Sequence, residues 1–225
     1  MRDPLGARFG FFNQYTGGCA RPEVFEEAIG ATYFAEAHFK KYSSCMATHI
    51  AIEAALEIVS HAPVEAQDIA AIKIAMPAAR LKNFYAKAFV PREFPHCDAI
   101  FNYAFPVALA LQEGRVVPDL YLRGDAGWAA ARRLTDLTQY EPSTDGRPGC
   151  EVVVTFKDGS IRSGYCERLS ADPRDGDRDK KWAHRKYQMQ ALGAGWTEAG
   201  AESMRRSLAQ FWDAASPDAL DWSLR

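Results

Sequence analysis

The sequence predicts an α+β fold: an antiparallel or mixed sheet, helices packed largely on one of its faces, and further helices at the C-terminal end. Three observations predict it. Ile69 to Met76 places Ile72 and Ile74 on one face and Lys73 on the other, the alternation of a half-buried strand. Cys150 to Phe156 and Ser160 to Arg168 read as a hairpin whose turn is Lys157-Asp158-Gly159. Ile50 to Ser60, Asp125 to Leu134 and Thr197 to Ala214 repeat apolar residues at helical spacing.

Taken in order, Met1 to Pro22 has neither period, and Gly6, Gly10, Gly17 and Gly18 suggest loops, so Phe11 and Phe12 need a covering surface. Glu23 to Ile29 reads as a short helix stopped by Gly30, and Thr32 to Tyr42 as a strand with His38 on its solvent side. A helix counted from Cys45 puts Cys45, His49, Ile52, Leu56 and Val59 on one inward stripe, with Glu53 and Glu57 away from it. Pro77 to Pro95 mixes basic and aromatic residues, a stretch able to contact an acidic substrate but better read as a solvated loop. His96 and Cys97 are adjacent at a helix start and do not face each other, which argues against a nucleophile–base pair.

From Ala99 a helix carries Phe101, Ala104, Phe105 and Ala108 as its apolar stripe, with Pro106 imposing a late start or a kink. Trp128 and Leu134 anchor the next helix, and Glu141 to Gly149 is a loop. The run Val152-Val153-Val154 suggests a strand buried on both faces. Ser170 to Lys181 is a charged, solvated loop without the spacing of a calcium site. Two amphipathic helices follow, Trp182 to Leu192 and Thr197 to Ala214, the second with Glu198 suitably placed in its first turn.

Composition narrows the function. A chain of 225 residues with 48% hydrophobic and 25% charged residues matches an ordinary soluble globular protein, large enough for one large or two modest domains. A net charge of −2 gives no basic face for nucleic acid, and no apolar run approaches a membrane span. Cysteines 19, 45, 97, 150 and 166 are odd in number and widely spaced, which predicts reduced thiols in a cytoplasmic protein and indicates no metal site. No cofactor is expected.

The stretch that carries chemistry is Phe39-Lys40-Lys41-Tyr42-Ser43-Ser44-Cys45-Met46-Ala47-Thr48-His49. Two serines offer a helix cap, and His49 points inward at the end where Lys40 and the unpaired N–H groups of the helix start lie. Unpaired donors, the positive dipole end and lysines together attract anions, so this reads as a carboxylate site. The same residues also read as a capped helix with a buried, hydrogen-bonded histidine and two solvated lysines.

The stretch Lys40 to Cys45 followed by Thr48-His49 resembles the Lys-x-(aromatic)-Pro-x-Cys…Thr-His signature of the MmgE/PrpD family, which includes 2-methylcitrate dehydratase, cis-aconitate decarboxylase and iminodisuccinate epimerase. Gly10-Phe11-Phe12 is similar to the family's Gly-Phe-Phe segment. Ala99 to Gly114 is similar to its Ala-x-Phe-Ser-x-Pro-Tyr…Ala-Leu-x-x-Gly helix, and Val152 to Gly159 to its Val-Thr-Val-x-Leu-x-Asp-Gly hairpin. These matches fall in order over most of the chain and correspond to the C-terminal half of a typical member.

The resemblance implies proton transfer next to a carboxylate of a small polycarboxylate, leading to dehydration, decarboxylation or epimerisation. It implies that Lys40 and His49 are catalytic, with Lys40 also binding substrate alongside Ser44, Cys45, Thr48 and Tyr103. It further implies residues 1–22 as a linker from an absent helical domain, 23–169 as a lid-like domain, and 170–225 as charged loop and C-terminal helices. A separate all-helical subunit, self-association, or both would then cover Phe11, Phe12, Trp196, Phe211, Trp212 and Trp222. Two departures stand against catalysis. Phe105 occupies the place of the family's active-site tyrosine, with Tyr103 two residues away as a possible substitute, and the family's Gly-x-Pro-x-x-Pro loop is replaced near Asp175-Gly176-Asp177-Arg178. They favour the other reading, a binding or assembly subunit that kept the fold.

Overall fold

The computed structural model describes residues 3, 5–21, 23, 40–168 and 178–210. The expected helix Glu23–Ile29, most of the expected strand Thr32–Tyr42, the body of the charged loop and the last turns of the C-terminal helix lie outside these residues. The chain divides into two compact units, 1–37 and 38–225. In the first, α1 (Phe11–Thr16) ends on Gly17, whose φ of 69° suits a residue without Cβ. Phe12 is buried there and Phe11 exposed against Tyr15.

The second unit holds a mixed sheet in the order β2-β1-β3-β4, from β1 (Ile69–Met76), β2 (Thr138–Pro142), β3 (Cys150–Phe156) and β4 (Ile161–Cys166). β1 pairs antiparallel with β3 and parallel with β2, and β3 pairs antiparallel with β4. The β3–β4 turn is closed at Gly159, where φ is 83°, and Asp158 accepts from the Ser160 N–H at 2.8 Å. Register places Ile72 opposite Val154 and Ile74 opposite Val152 on the buried face. Lys73, Val153 and Ser163 line up across the other face, which is only partly covered. Val153 therefore departs from the expectation of a strand buried on both sides, because helices cover one face of this sheet and leave the other wet.

That covering layer is built from α2 (His49–His61), α5 (Ala104–Glu113) and α7 (Gly124–Asp136). α2 lies over β3 and β4, α7 packs on β1, and α5 is packed against both helices. The approach of α2 depends on Gly164, since a Cβ there would meet the Ala54 carbonyl oxygen at 2.1 Å. Arg162 on β4 donates to the carbonyls of Ala62 and Pro63 at 3.1 and 3.0 Å, so the strand also caps the end of the helix. Squeezed between sheet and α5, α2 is buried over Ile50, Ala51, Ile52, Ala54, Ala55 and Ile58. Leu56 and Val59, expected on the inward stripe, are only half-buried.

The helix expected from Ala99 is two helices. α4 (Pro95–Ile100) stops at Phe101, and α5 starts at Ala104, which puts Pro106 in the first turn where its missing N–H costs nothing. Phe101 falls in the break and is exposed, whereas Phe105 is buried against Phe89, Tyr121 and Trp128. Trp128 is buried, as its expected role of anchor requires, and its indole donates to the Leu120 carbonyl at 2.9 Å. Short helices α3 (Ala78–Leu81) and α6 (Pro118–Tyr121) and the edge strand β2 have no counterpart in the sequence-based expectation. At the C-terminal end, α8 (Arg178–Gly193) packs on α9 (Glu198–Ala209), with the Thr197 side chain accepting from the Gly200 N–H at 3.0 Å. No helix among the described residues is long and apolar enough to cross a membrane.

Candidate functional site

The segment expected to end a strand does not do so: Lys40 to Ser44 bends, Met46–Thr48 forms a 3-10 turn, and α2 begins at His49. Neither serine caps α2, and no side chain does. Ser44 instead donates to the Ile100 carbonyl at 2.9 Å, which also accepts the Cys45 N–H at 3.0 Å. The loop is thereby fixed to the end of α4. Ser44 Oγ and Thr48 Oγ1 lie 2.7 Å apart, and Thr48 Oγ1 is 2.8 Å from the Cys45 carbonyl. Two hydroxyl hydrogens thus serve three contacts. Both carbonyls already hold a backbone donor, Cys45 N–H for Ile100 and Thr48 N–H for Cys45, so neither is left unpaired whichever way the hydroxyls turn.

His49 is 1% exposed. Its Nε2 faces the Ser44 carbonyl at 3.4 Å, and a carbonyl can only accept, so Nε2 carries the hydrogen and Nδ1 keeps its lone pair. Tyr42 stands edge-on to the imidazole at a centroid distance of 5.2 Å. Burial lowers the His49 pKa to about 4, with the charges of Lys40 and Lys186 adding to the effect and the Ser44 carbonyl and Glu53 opposing it. The imidazole is neutral at physiological pH.

The two lysines of the motif have different surroundings. Lys41 pairs with Glu53 at 2.7 Å, half-buried, and lies over the Tyr42 ring at 5.4 Å. Glu53 is thus held toward the loop rather than turned to solvent. Lys40 is exposed and has no carboxylate partner among the described residues. A third lysine, which sequence reasoning missed, joins them: Lys186 of α8 donates to the Lys40 backbone carbonyl. Its burial and the nearby charge of Lys40 lower its pKa.

Cys45 is half-buried and its thiol donates to the Tyr85 hydroxyl at 3.6 Å. Tyr103 lies behind Tyr85, edge-on at 5.9 Å, and is 1% exposed. The structure therefore brings Lys40, Ser44, Cys45, Thr48 and His49 together in one segment, with Tyr85 in contact and Tyr103 one ring further in. Phe105 lies within the core packing, its ring centroid 6.1 Å from that of Tyr121. Tyr121 was also missed. Its hydroxyl is buried close to Ser44 without a hydrogen-bond partner among the described residues, and burial raises its pKa. Both omissions have the same origin, since α6 and α8 reach the motif only through the tertiary fold.

No group of metal-binding side chains occurs among the described residues. A groove of about 790 Å³ runs past the other end of α2, lined by Leu56, Val59, Val64, Leu111 and Arg133 among others. It is remote from His49. The candidate site is placed at the His49 end, where the titratable groups converge.

The fold is thus an α+β domain with one covered sheet face, and at the start of α2 it presents Lys40, without a carboxylate partner among the described residues, near the buried, neutral His49. The family follows from comparison: the model of the MmgE/PrpD C-terminal domain matches residues 42–213, and the chain belongs to that family. Comparison with curated proteins yields no match.

Proposed function

We propose that the chain is the C-terminal half of an MmgE/PrpD-type lyase or epimerase, acting on a small polycarboxylate by proton transfer next to a carboxylate. The observation that carries this reading is Lys40, exposed, without a carboxylate partner among the described residues, and adjoining the loop that leads to His49. An ammonium so placed binds a substrate carboxylate and stabilises charge that develops when the neighbouring carbon loses its proton. His49, neutral and with Nε2 engaged by Ser44, supports the site through Nδ1 as an acceptor. Cys45 and Tyr85 flank it. A separate all-helical subunit, as the family's architecture implies, completes the site and carries the remaining acid–base groups. The chain on its own is expected to be inactive.

The test is reconstitution with a helical MmgE/PrpD N-terminal-type partner on substrates such as 2-methylcitrate and cis-aconitate. In the active complex, Lys40→Ala is expected to lose about 2–4 kcal/mol of transition-state stabilisation, the scale of one preorganised donor. Lys41→Ala is expected to leave turnover nearly unchanged, because that lysine is engaged by Glu53. Turnover by the chain alone, or equal losses from both substitutions, would overturn the reading.

One observation favours a second reading, a binding or assembly subunit without catalysis. Phe105 brings no hydroxyl, and its ring is enclosed by Phe89, Tyr121 and Trp128. A reconstituted complex that binds polycarboxylates and never turns them over would select it.

A further inference from the structure

Lys186 sits on α8, far from the motif in sequence, yet its ammonium donates to the backbone carbonyl of Lys40. An ammonium has three hydrogens, so this bond fixes its position and leaves two for another acceptor. Lys186 is half-buried and, like Lys40, has no carboxylate partner among the described residues. Two lysines from separate elements, a loop and a helix, are thus brought together, close enough for the charge of Lys40 to act on Lys186, and neither has a carboxylate partner among the described residues. Such a pair is electrostatically unfavourable until an anion bridges it. The nearest acidic group to act on His49 is Glu53, and it is committed to Lys41.

We propose that Lys186 is a second anion-binding group of the site and sets its preference for ligands with two carboxylates over ligands with one. Lys40 holds one carboxylate and Lys186 the other, a two-point hold that fixes the ligand's orientation as well as its charge. The inference rests on the reading of Lys40 given above, and the experiment separates the two.

The full chain is titrated with succinate, propionate and inorganic phosphate, following backbone amide and His49 imidazole signals by NMR. Arg185→Met serves as a control that removes the same charge from an exposed neighbour on α8. Succinate is expected to bind roughly fivefold more tightly than propionate, the factor that one additional partly screened ion pair supplies. Lys186→Met should abolish that preference, and Arg185→Met should keep it. Without ligand, Lys186→Met should move the His49 titration upward, since it removes one of the two cations facing the ring, leaving Lys40, Glu53, Tyr42 and the Ser44 carbonyl in place.

Equal binding of the two acids, a preference that survives Lys186→Met, or a His49 titration indifferent to that substitution overturns the role of Lys186 while leaving Lys40 untouched. Phosphate binding as tightly as succinate overturns the dicarboxylate assignment in favour of any compact dianion. Succinate binding that survives Lys40→Met removes the underlying site.

Discussion

The two ends of α2 differ in kind. At its start, Ser44, Thr48 and His49 are buried polar groups tied by hydrogen bonds to the loop and to α4, with Lys40, Lys41 and Lys186 alongside. At its far end lies an open groove walled by Leu56, Val59, Val64 and Leu111, where Arg162 and Arg133 answer backbone carbonyls. Volume and chemistry have separated. The groove has space and few groups able to exchange a proton; the start of the helix has such groups packed among hydrogen bonds.

The largest effect expected at the polar end concerns pH. The unfolded His49 imidazole titrates near 6.5 and the folded one near 4. Between those values the unfolded chain takes up a proton that the folded chain refuses, so stability falls as pH drops across that window, by about 3 kcal/mol in total. Above the window the residue contributes no pH dependence. His49→Phe should flatten the curve of chemical-denaturation midpoints against pH over this interval; a wild-type curve already flat there would show that the imidazole is hydrated.

A smaller effect separates polar packing from polar function. Ser44→Ala removes a hydroxyl whose partners, the Ile100 carbonyl and Thr48 Oγ1, both keep another hydrogen bond. The loss should therefore be about 1 kcal/mol, the net worth of a hydrogen bond rather than the penalty of an orphaned group. A denaturation loss several times larger would mean that Ser44 alone holds the loop to α4.

The smallest effect is expected at the groove. Gln112 Oε1 is buried there without a partner among the described residues, while its amide donates to Glu113 at 2.9 Å. Gln112→Met exchanges an unsatisfied acceptor for apolar contact and should leave stability within about 0.5 kcal/mol or raise it slightly. It should not alter carboxylate binding at Lys40. A change in that binding would couple the two ends and erase the contrast between them.

Legibility in the sequence follows the range of the forces involved. β1, the β3–β4 hairpin and the body of α2 are written in local periodicity and turn chemistry, and they appear with nearly the expected bounds. β2 was unreadable because Thr-Gln-Tyr-Glu-Pro is short, half-exposed and ordered by pairing with β1 rather than by its own pattern. Phe101 misled because the apolar spacing from Ala99 continues across a break that Asn102 and Pro106 stabilise; the Asn102 side chain accepts from the Phe105 N–H at 3.1 Å. At the site, Lys40 and His49 lie in one short stretch of sequence and could be read together. Lys186 and Tyr121 could not, since helix patterns report faces and not which loop a face will meet.

The central position of β1 has a consequence for how the chain comes into being. Its Lys73 pairs with Gln139 on one side and Val153 on the other, so both neighbours are synthesised long after it. While the ribosome is still delivering α4 to α7, β1 has two bare edges and an apolar face that α7 has yet to cover. The late hairpin closes through a local turn, whereas the sheet as a whole waits on long-range encounters, the slow and aggregation-exposed step of such topologies. Nascent chains stalled before Cys150 should accordingly be sticky, and holding chaperones would find their best purchase on Ile69 to Met76.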